Sequence, residues 1–412
     1  MNIVKLAWRN LWRRKRRTLI TTFSIGFGVL LAVTFTGMGD YGYTNMINAG
    51  ADMGLGHVTV EPLSYNDSPA LDKRLSDSTQ IRKQVLQLPG VDDAVVRIMG
   101  QAMFASARKS IGGMFVAIDP QQESEAHNLF IRSMIEGELF SSSEGRGIVV
   151  GSRITEKLGL KLGKKLVYTT SDVNGDIVSA IARIQGIFKT GVKEIDGAMV
   201  LLPIDSVRAT LNYADDDATF VSVLVKDQRY SQKIKHLVEQ SVGAANREVL
   251  SWKETQPDLA GLIAIDRSGN YISQVLISLL IAAGILNTLL MSVMERTKEF
   301  GVMMAIGMSP RRLFQLIMTE SVWLALVGLV VGIIITIPWY LYLYHVGLDF
   351  SGAIGEDYSA GGVLVDPVMR IRLYRESIIA ILSGVFLLTL ISGLYPAWRA
   401  TRTPPVESLK TL

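Results

Sequence analysis

Four long uncharged stretches, very unevenly placed, constrain this chain more than any other feature. They cover residues 18–39, 271–294, 321–344 and 377–397. Each exceeds the ~20 apolar residues that a helix needs to cross a bilayer. The interval 40–270 between the first two reads as a water-soluble domain. One span, a large domain, then three spans is a rare layout. It points to a membrane machine whose working part lies outside the cytoplasm.

Composition agrees with a mosaic. Of the 412 residues, 49% are hydrophobic and 19% charged, too apolar for a wholly soluble chain and too charged for a wholly embedded one. The net charge of +4 hides an asymmetry. Residues 1–17 carry Lys5, Arg9, Arg13, Arg14, Lys15, Arg16 and Arg17 and no acid. Residues 41–270 carry 25 basic and 28 acidic side chains, a net of 25 − 28 = −3. The basic excess therefore sits beside the membrane and not on the domain. A span follows it at once, so it reads as a topological signal and not as a nucleic-acid patch. Basic residues beside the first span hold both termini in the cytoplasm and put 40–270 outside. The segment 295–312, with Arg296, Lys298, Arg311 and Arg312, and the tail 398–412, with Arg399, Arg402 and Lys410, are then cytoplasmic. The outer loop 345–376 carries Arg370, Arg372 and Arg375 against this trend. The apolar core of 18–39 is longer than a secretory signal's and no small-residue cleavage site follows it, so it reads as an uncleaved anchor. There is no cysteine, so the outer domain must rest on its own hydrophobic core.

Along the chain, Ile3, Val4, Ala7, Trp8, Leu11 and Trp12 recur at helical spacing opposite a basic face. Trp and Arg on one amphipathic helix suit the headgroup layer, which predicts a short interfacial helix before span one. The outer domain reads as mixed α and β. Strand, helix and strand over 57–61, 78–88 and 91–98 are repeated over 220–225, 232–240 and 247–252. These read as two related α/β halves around a β-rich insert, about 99–215, with strands at 115–118, 148–150, 166–170, 177–187 and 198–202. Short helices are expected at 154–158 and 205–211.

Spans two and three (271–294 and 313–344) flank a segment where charges cluster at 295–299 and apolar residues fill 300–306. Gly307 is a helix stop. Ser309 before Pro310 is a helix start, with a hydroxyl cap and Pro in first position. Gly328 and Gly332 in span three, and Gly28 and Ala32 in span one, have the small-xxx-small spacing that lets helices approach closely. Pro338 is expected to kink the outer end of span three. The outer half of span one, at Val33, and span two, at Ile277, are expected to frame a lateral entry for cargo.

Catalytic patterns are missing. His57, His127, His236 and His345 are isolated, with no metal-ligand spacing such as HExxH. There is no nucleophile elbow. The run from Gly159 to Lys165 has the wrong spacing for a phosphate loop, and the run from Gly145 to Gly151 misses the dinucleotide fingerprint by one residue. Asp215, Asp216 and Asp217 read as a solvated turn, since no calcium-loop pattern surrounds them. Glu320 is the one ionisable residue near a membrane interior, whereas ion-coupled transporters need more. No metal, cofactor or catalytic residue is expected on this chain.

Layout and motifs together resemble the permease subunits of the MacB/LolC/FtsX class of ABC transporters, over essentially the whole length. The features that carry the resemblance are the basic helix from Trp8 to Thr18, Leu88-Pro-Gly-Val91, Glu136-Gly-Glu-Leu139, Ile148-Val-Val-Gly-Ser-Arg-Ile154 and Gly186-Ile-Phe-Lys-Thr-Gly191. The most specific is the run from Met294 to Gly307, followed by Tyr395-Pro-Ala-Trp-Arg-Ala400. The resemblance implies a multi-pass protein of the bacterial inner membrane, α-helical with four spans (1+3) and a large extracytoplasmic α/β porter-like domain. It implies a dimer with an identical or related second permease, lipid around it, and a separate pair of cytoplasmic ATPases that bind ATP-Mg. Glu295, Arg296, Lys298, Glu299, Phe300, Gly301, Met303, Met304, Ala305 and Gly307 would form the coupling helix that docks on the ATPase. In layout the chain is most like LolC/LolE-type permeases, which implies extraction or export of lipoprotein or other hydrophobic cargo, in places towards a periplasmic acceptor. The alternative is mechanotransmission that switches an envelope enzyme or sensor and moves no cargo. A structural anchor with no ATPase is the third reading, against which the 295–307 segment argues.

Overall fold

A computed structural model describes residues 3–243, 246–354, 359–360, 363–364 and 366–402. Lys410 and the rest of the tail beyond 402 lie outside the described residues. In chain order the elements are α1 (Ile3–Arg13), α2 (Lys15–Gly50), β1 (Val58–Pro62), α3 (Ser78–Leu86), β2 (Val91–Ala105), β3 (Ser110–Ile118), α4 (Leu129–Arg132), β4 (Met134–Gly137) and β5 (Gly147–Gly151). Then follow α5 (Ser152–Leu158), β6 (Lys165–Ser171), β7 (Ile177–Phe188), α6 (Lys193–Asp196), β8 (Met199–Pro203), α7 (Ile204–Leu211), β9 (Phe220–Val225), α8 (Ser231–Val242), β10 (Arg247–Ser251) and α9 (Trp252–Thr255). The last part holds α10 (Pro257–Glu295), α11 (Thr297–Ala305), α12 (Pro310–His345), short pieces between 348 and 369, and a final helix, Arg375–Thr401. The chain divides into two compact units. One comprises Met1–Gly42, Ile265–Asp349 and Val368–Leu412, and the other Tyr43–Ala264 and Phe350–Pro367.

The second unit is built on one sheet. Its edge reads β10-β1-β9-β2, all antiparallel, with α3 and α8 supplied by the two β-α-β halves. The halves seen in sequence therefore interleave in a split β-α-β arrangement, each strand of one half lying beside strands of the other. β2 is long enough to serve two purposes. Val91–Arg97 pairs with β9, and the part from Arg97 to Ala105 pairs with β3. From there β3, β8, β5, β7 and β6 pair in turn, and β6 returns to β2 through Met103, Phe104 and Ala105. The insert is thus a closed ring of six strands, which removes the exposed edges that an open sheet would offer. A continuous core that includes Val60, Ile98, Phe104, Phe115, Ile148, Leu202 and Val221 fills both parts.

The family-like motifs of the insert are structural. Gly151 ends β5 where a Cβ would fall 2.3 Å from the Asp196 carbonyl oxygen. The buried Asp196 carboxylate in turn accepts from the Thr190 and Gly191 backbone N–H groups and from the Thr190 hydroxyl. Only glycine permits that approach, so the two motifs form one corner. The acidic run 215–217 is a turn with Asp215 exposed, as expected, but its other two carboxylates are structural, which corrects their reading as solvated. Asp216 accepts from the Ser78 hydroxyl and the Thr79 N–H, capping α3, and buried Asp217 pairs with Arg74 at 2.9 Å. A larger surprise is Arg97, fully buried on β2. Its guanidinium donates to both oxygens of buried Glu123, at 2.7 and 2.8 Å, and to the Gly54 carbonyl.

The first unit holds the membrane-crossing windows of four long apolar helices, α2, α10, α12 and Arg375–Thr401. α12 continues through Pro338 to His345. Gly328 and Gly332 on α12 face α2 of the same chain. A Cβ at Gly328 would meet Ile25, and one at Gly332 would meet Val29 and the Gly26 backbone. Gly28 likewise sits against Ile281 of α10. The small residues therefore pack the helices of one subunit together.

Candidate coupling site

The segment predicted to reach an ATPase forms a helical corner. α10 stops at Glu295, the backbone breaks at Arg296, and α11 runs over Thr297–Ala305. The Gly307 backbone is left-handed at φ +103°, and its N–H and that of Met308 bond back to Met304 and Met303. This is how a helix ends when glycine follows it. α12 restarts with Ser309 as the capping residue and Pro310 in first position. The Ser309 hydroxyl makes no cap hydrogen bond, so proline and the Ser309 carbonyl, which accepts from Arg312 and Leu313, set this helix start.

Polar groups fix the corner from several sides. Arg296 is buried, and its Nη1 donates to both oxygens of the Glu320 carboxylate of α12, at 2.9 and 3.1 Å. It also reaches Glu299 at 3.3 Å and lies over the Phe300 ring. Asn10 of α1 donates to the same Glu320 at 2.7 Å. Arg13 pairs with Glu299 at 3.0 Å, and Arg14 and Arg17 both pair with Glu295. The basic N-terminal segment is therefore more than a topological signal. It clamps the corner by charge, with Trp8 against Trp323 at 4.8 Å between ring centres.

The apolar side of α11 differs from its expected role as a set of partner anchors. Phe300 is buried in this chain's own core with Ala7, Val293, Leu313, Leu316, Ile317, Ala397 and Ala400. Met303 and Met304 pack on the same cluster, and Gly301 is buried. The motif around Pro396 and Ala397 supplies part of that core, which explains two family-like motifs at once. The residues of α11 and its end that stay exposed are Lys298, Val302, Ala305, Ile306 and Gly307, with Ile306 at 82%. Val302 and Ile306 were absent from the sequence-based set. A nine-residue helix apolar on several sides gives no period by which to choose its outer face.

At the expected cargo entry α2 and α10 meet through Gln274 Nε2, which donates to the Thr36 hydroxyl at 3.1 Å. Val33 is closed in by Val29, Leu343 and Ile371, while Ala32 and Ile277 are half-buried. Among the described residues no group of acidic, His or Cys side chains could hold a metal ion. In the second unit His57 is buried and neutral. The Val225 N–H donates to its Nδ1, so Nε2 carries the proton and donates to Asn48 at 3.0 Å. Burial lowers its pKa to about 4.

Comparison with known proteins agrees with this architecture. The FtsX-like permease C-terminal model matches residues 271–405, and the MacB-like periplasmic core domain model matches 18–241. An uncharacterized ABC transporter permease of Methanocaldococcus jannaschii is 25% identical over 99% of this chain and 98% of its own length. The lipoprotein-releasing system transmembrane protein LolE of Haemophilus influenzae is 24% identical over 83% of this chain and 80% of its own. The pyoverdine export ATP-binding/permease protein PvdT of Pseudomonas entomophila is 24% identical over 98% of this chain, which covers 59% of that longer protein.

Proposed function

Because the chain belongs to the MacB/LolC/FtsX class of ABC transporter permeases, we propose that ATP-Mg hydrolysed on a separate ATPase pair drives movement of its sheet unit, releasing or exporting a lipoprotein or other hydrophobic cargo. Membership implies an ABC ATPase partner and a second permease subunit in a multi-pass inner-membrane assembly. In this reading the basic N-terminus and α11 face the cytoplasm and the sheet unit lies outside. Cargo need not cross the membrane, because a rigid-body stroke can lift a molecule already outside. The LolE match along most of both chains supports the lipoprotein reading.

One observation carries the coupling role: α11 is locked to its own subunit through Phe300 and Arg296, yet presents Lys298, Val302, Ala305 and Ile306 outward. A helix fixed behind and apolar in front is suited to sit in a partner's groove, with charge setting register. The test is the full chain in nanodiscs, titrated with its ATPase. Ile306→Asp and Val302→Asp are each expected to weaken association by about tenfold or more, ~1.4 kcal/mol, at unchanged melting temperature. Parent-like association would remove α11 as the coupling element. Release of acylated protein from proteoliposomes tests the cargo. ATP turnover without release, together with a changed activity of an envelope hydrolase, would replace transport by mechanotransmission.

A further inference from the structure

Between α1, α2, α10 and α12 lies a cavity of about 230 Å³ whose chemistry the coupling role leaves unexplained. Four guanidinium groups line it, those of Arg13, Arg14, Arg17 and Arg296. Against these four positive charges stand Glu299 and Glu320 in the wall and Glu295, which pairs with Arg14 and Arg17. The balance is 4 − 3, one positive charge in excess. Two buried donors there have no acceptor: Nη1 of Arg17 and Nη2 of Arg296. The Arg296 side chain is only 8% exposed. An unpaired charged donor in such a place is costly, and native proteins rarely leave one.

We propose that this cavity binds the phosphate group of an anionic phospholipid. Phosphate matches the requirement in charge and size, because its oxygens can accept a charge-assisted hydrogen bond from each of the two free nitrogens. Among the neutral donors in the wall, the Thr18, Thr21 and Thr288 hydroxyls already donate to backbone carbonyls, and Asn10 donates to Glu320. The two orphaned Arg nitrogens thus select an acceptor with full negative charge. The surroundings select the source. Leu19, Ile20 and Phe23 on α2, and Met291 and Met294 on α10, are exposed and apolar beside the cavity. Lipid covering these side chains places the cavity at headgroup depth, where basic pockets between membrane helices take anionic headgroups. Leu11, Leu289 and Leu324 complete the wall and suit the glycerol and upper chain of a lipid better than a free ion.

The test uses the full chain, stripped of lipid in detergent and returned to nanodiscs of phosphatidylcholine with or without 30% phosphatidylglycerol, or of phosphatidylcholine with inorganic phosphate. Native mass spectrometry reads the lipid retained, and thermal unfolding reads its effect. Phosphatidylglycerol is expected to be retained at least fivefold over phosphatidylcholine and to raise the melting temperature. Ser292→Phe, which fills the cavity without touching a charge, should abolish the preference. Arg17→Gln should reduce it severalfold, with Arg17→Lys between Arg17→Gln and the parent. Equal retention of both lipids, or a preference unchanged in both Ser292→Phe and Arg17→Gln, overturns the site. Inorganic phosphate that reproduces the stabilisation and displaces the lipid would assign the cavity to a soluble anion and overturn the lipid. The melting temperature in phosphatidylcholine alone shows whether each variant is folded, so loss of binding is not confused with loss of structure.

Discussion

The two units solve the problem of burial in opposite ways. In the sheet unit every long strand finds partners within the chain, the insert closes on itself, and even an arginine is satisfied at zero exposure. In the helical unit burial is graded from helix to helix. The apolar window of α2 is 44% buried, that of α12 33%, and that of α10 only 6%. A strand in water must close its hydrogen bonds and its core by itself. A helix in lipid has its backbone satisfied already and can leave its side chains to lipid or to another subunit. The first region therefore reads as finished, and the second as half of an assembly.

The largest effect is expected where the finished region is most committed. Arg97→Met removes the fork from Glu123 and leaves a buried carboxylate with Asn128 as its remaining side-chain donor. Breaking a buried pair by deleting one partner costs ~3–5 kcal/mol. Thermal unfolding of the full chain in detergent should show it as a large drop, with early proteolysis confined to 43–264. A loss under about 1 kcal/mol would mean that the sheet unit relaxes around the site and is less closed than its burial implies.

Next in size is a contrast within α11. Phe300→Ala opens a cavity at the core shared by α1, α12 and the last helix, at a cost of ~3 kcal/mol or more. Ile306→Ala on the exposed side should change the melting temperature by less than ~0.5 kcal/mol equivalent. Equal losses from the two would show that α11 is held from both sides already in the free subunit.

How much of this could be read from sequence follows the same division. The four spans and the break at 307–310 were legible because long apolar runs, Gly307 and Pro310 are local signals. The two β-α-β halves were legible from order alone. Their interleaving was not, because the pairing of Val58 with both Ser251 and Val223 joins residues far apart in sequence, and periodicity carries no such information. β4 was missed because all its residues are half-exposed or exposed and it has no apolar alternation. At the coupling corner the charges of 295–299 were visible, but which of them would be buried was not. Arg296 and Lys298 look alike in sequence, and only the position of Glu320 across the corner separates them. Arg97 and Glu123 were likewise two ordinary charges until the fold joined them.

A smaller effect tests the sheet unit through pH. Glu61 on β1 is buried, and burial raises its pKa from 4.5 to about 7. The Asn66 N–H opposes the shift, as does Lys73, while Glu248, its cross-strand partner on β10, and Asp67 add to it. The folded state therefore holds this proton more tightly than the unfolded chain. Its contribution is fully present below about pH 4.5 and is lost as pH rises towards 7. His57 works the other way. Its pKa is lowered from 6.5 to about 4, so stability is lost as pH falls from 6.5 towards 4. The two oppose each other between, which predicts a broad optimum in mildly acidic solution. Glu61→Gln should stabilise the full chain at pH 8 by ~1–3 kcal/mol and have little effect at pH 5. A gain of equal size at both pH values would trace the effect to packing and not to the proton.

The smallest effect probes the unfinished region directly, using two positions on one helix. Ile285 of α10 is fully buried against Ile25 and Leu324, whereas Leu280 is 75% exposed. Ile285→Ala removes packing that lipid cannot replace and should cost ~2 kcal/mol. Leu280→Ala exchanges contacts with detergent for contacts with detergent, and should leave the free subunit within ~0.5 kcal/mol of the parent. In the assembled transporter the same substitution has a second meaning. If the bare face of α10 meets the second permease subunit, Leu280→Ala loosens that contact and raises the dissociation constant of the pair several-fold, by crosslinking or native mass spectrometry. If the face meets only lipid, association is untouched, and the partner must pack elsewhere, with the exposed Phe23, Phe27 and Phe35 of α2 the next candidates. The near-silent substitution in the single subunit is thus the one that locates the other half of the assembly.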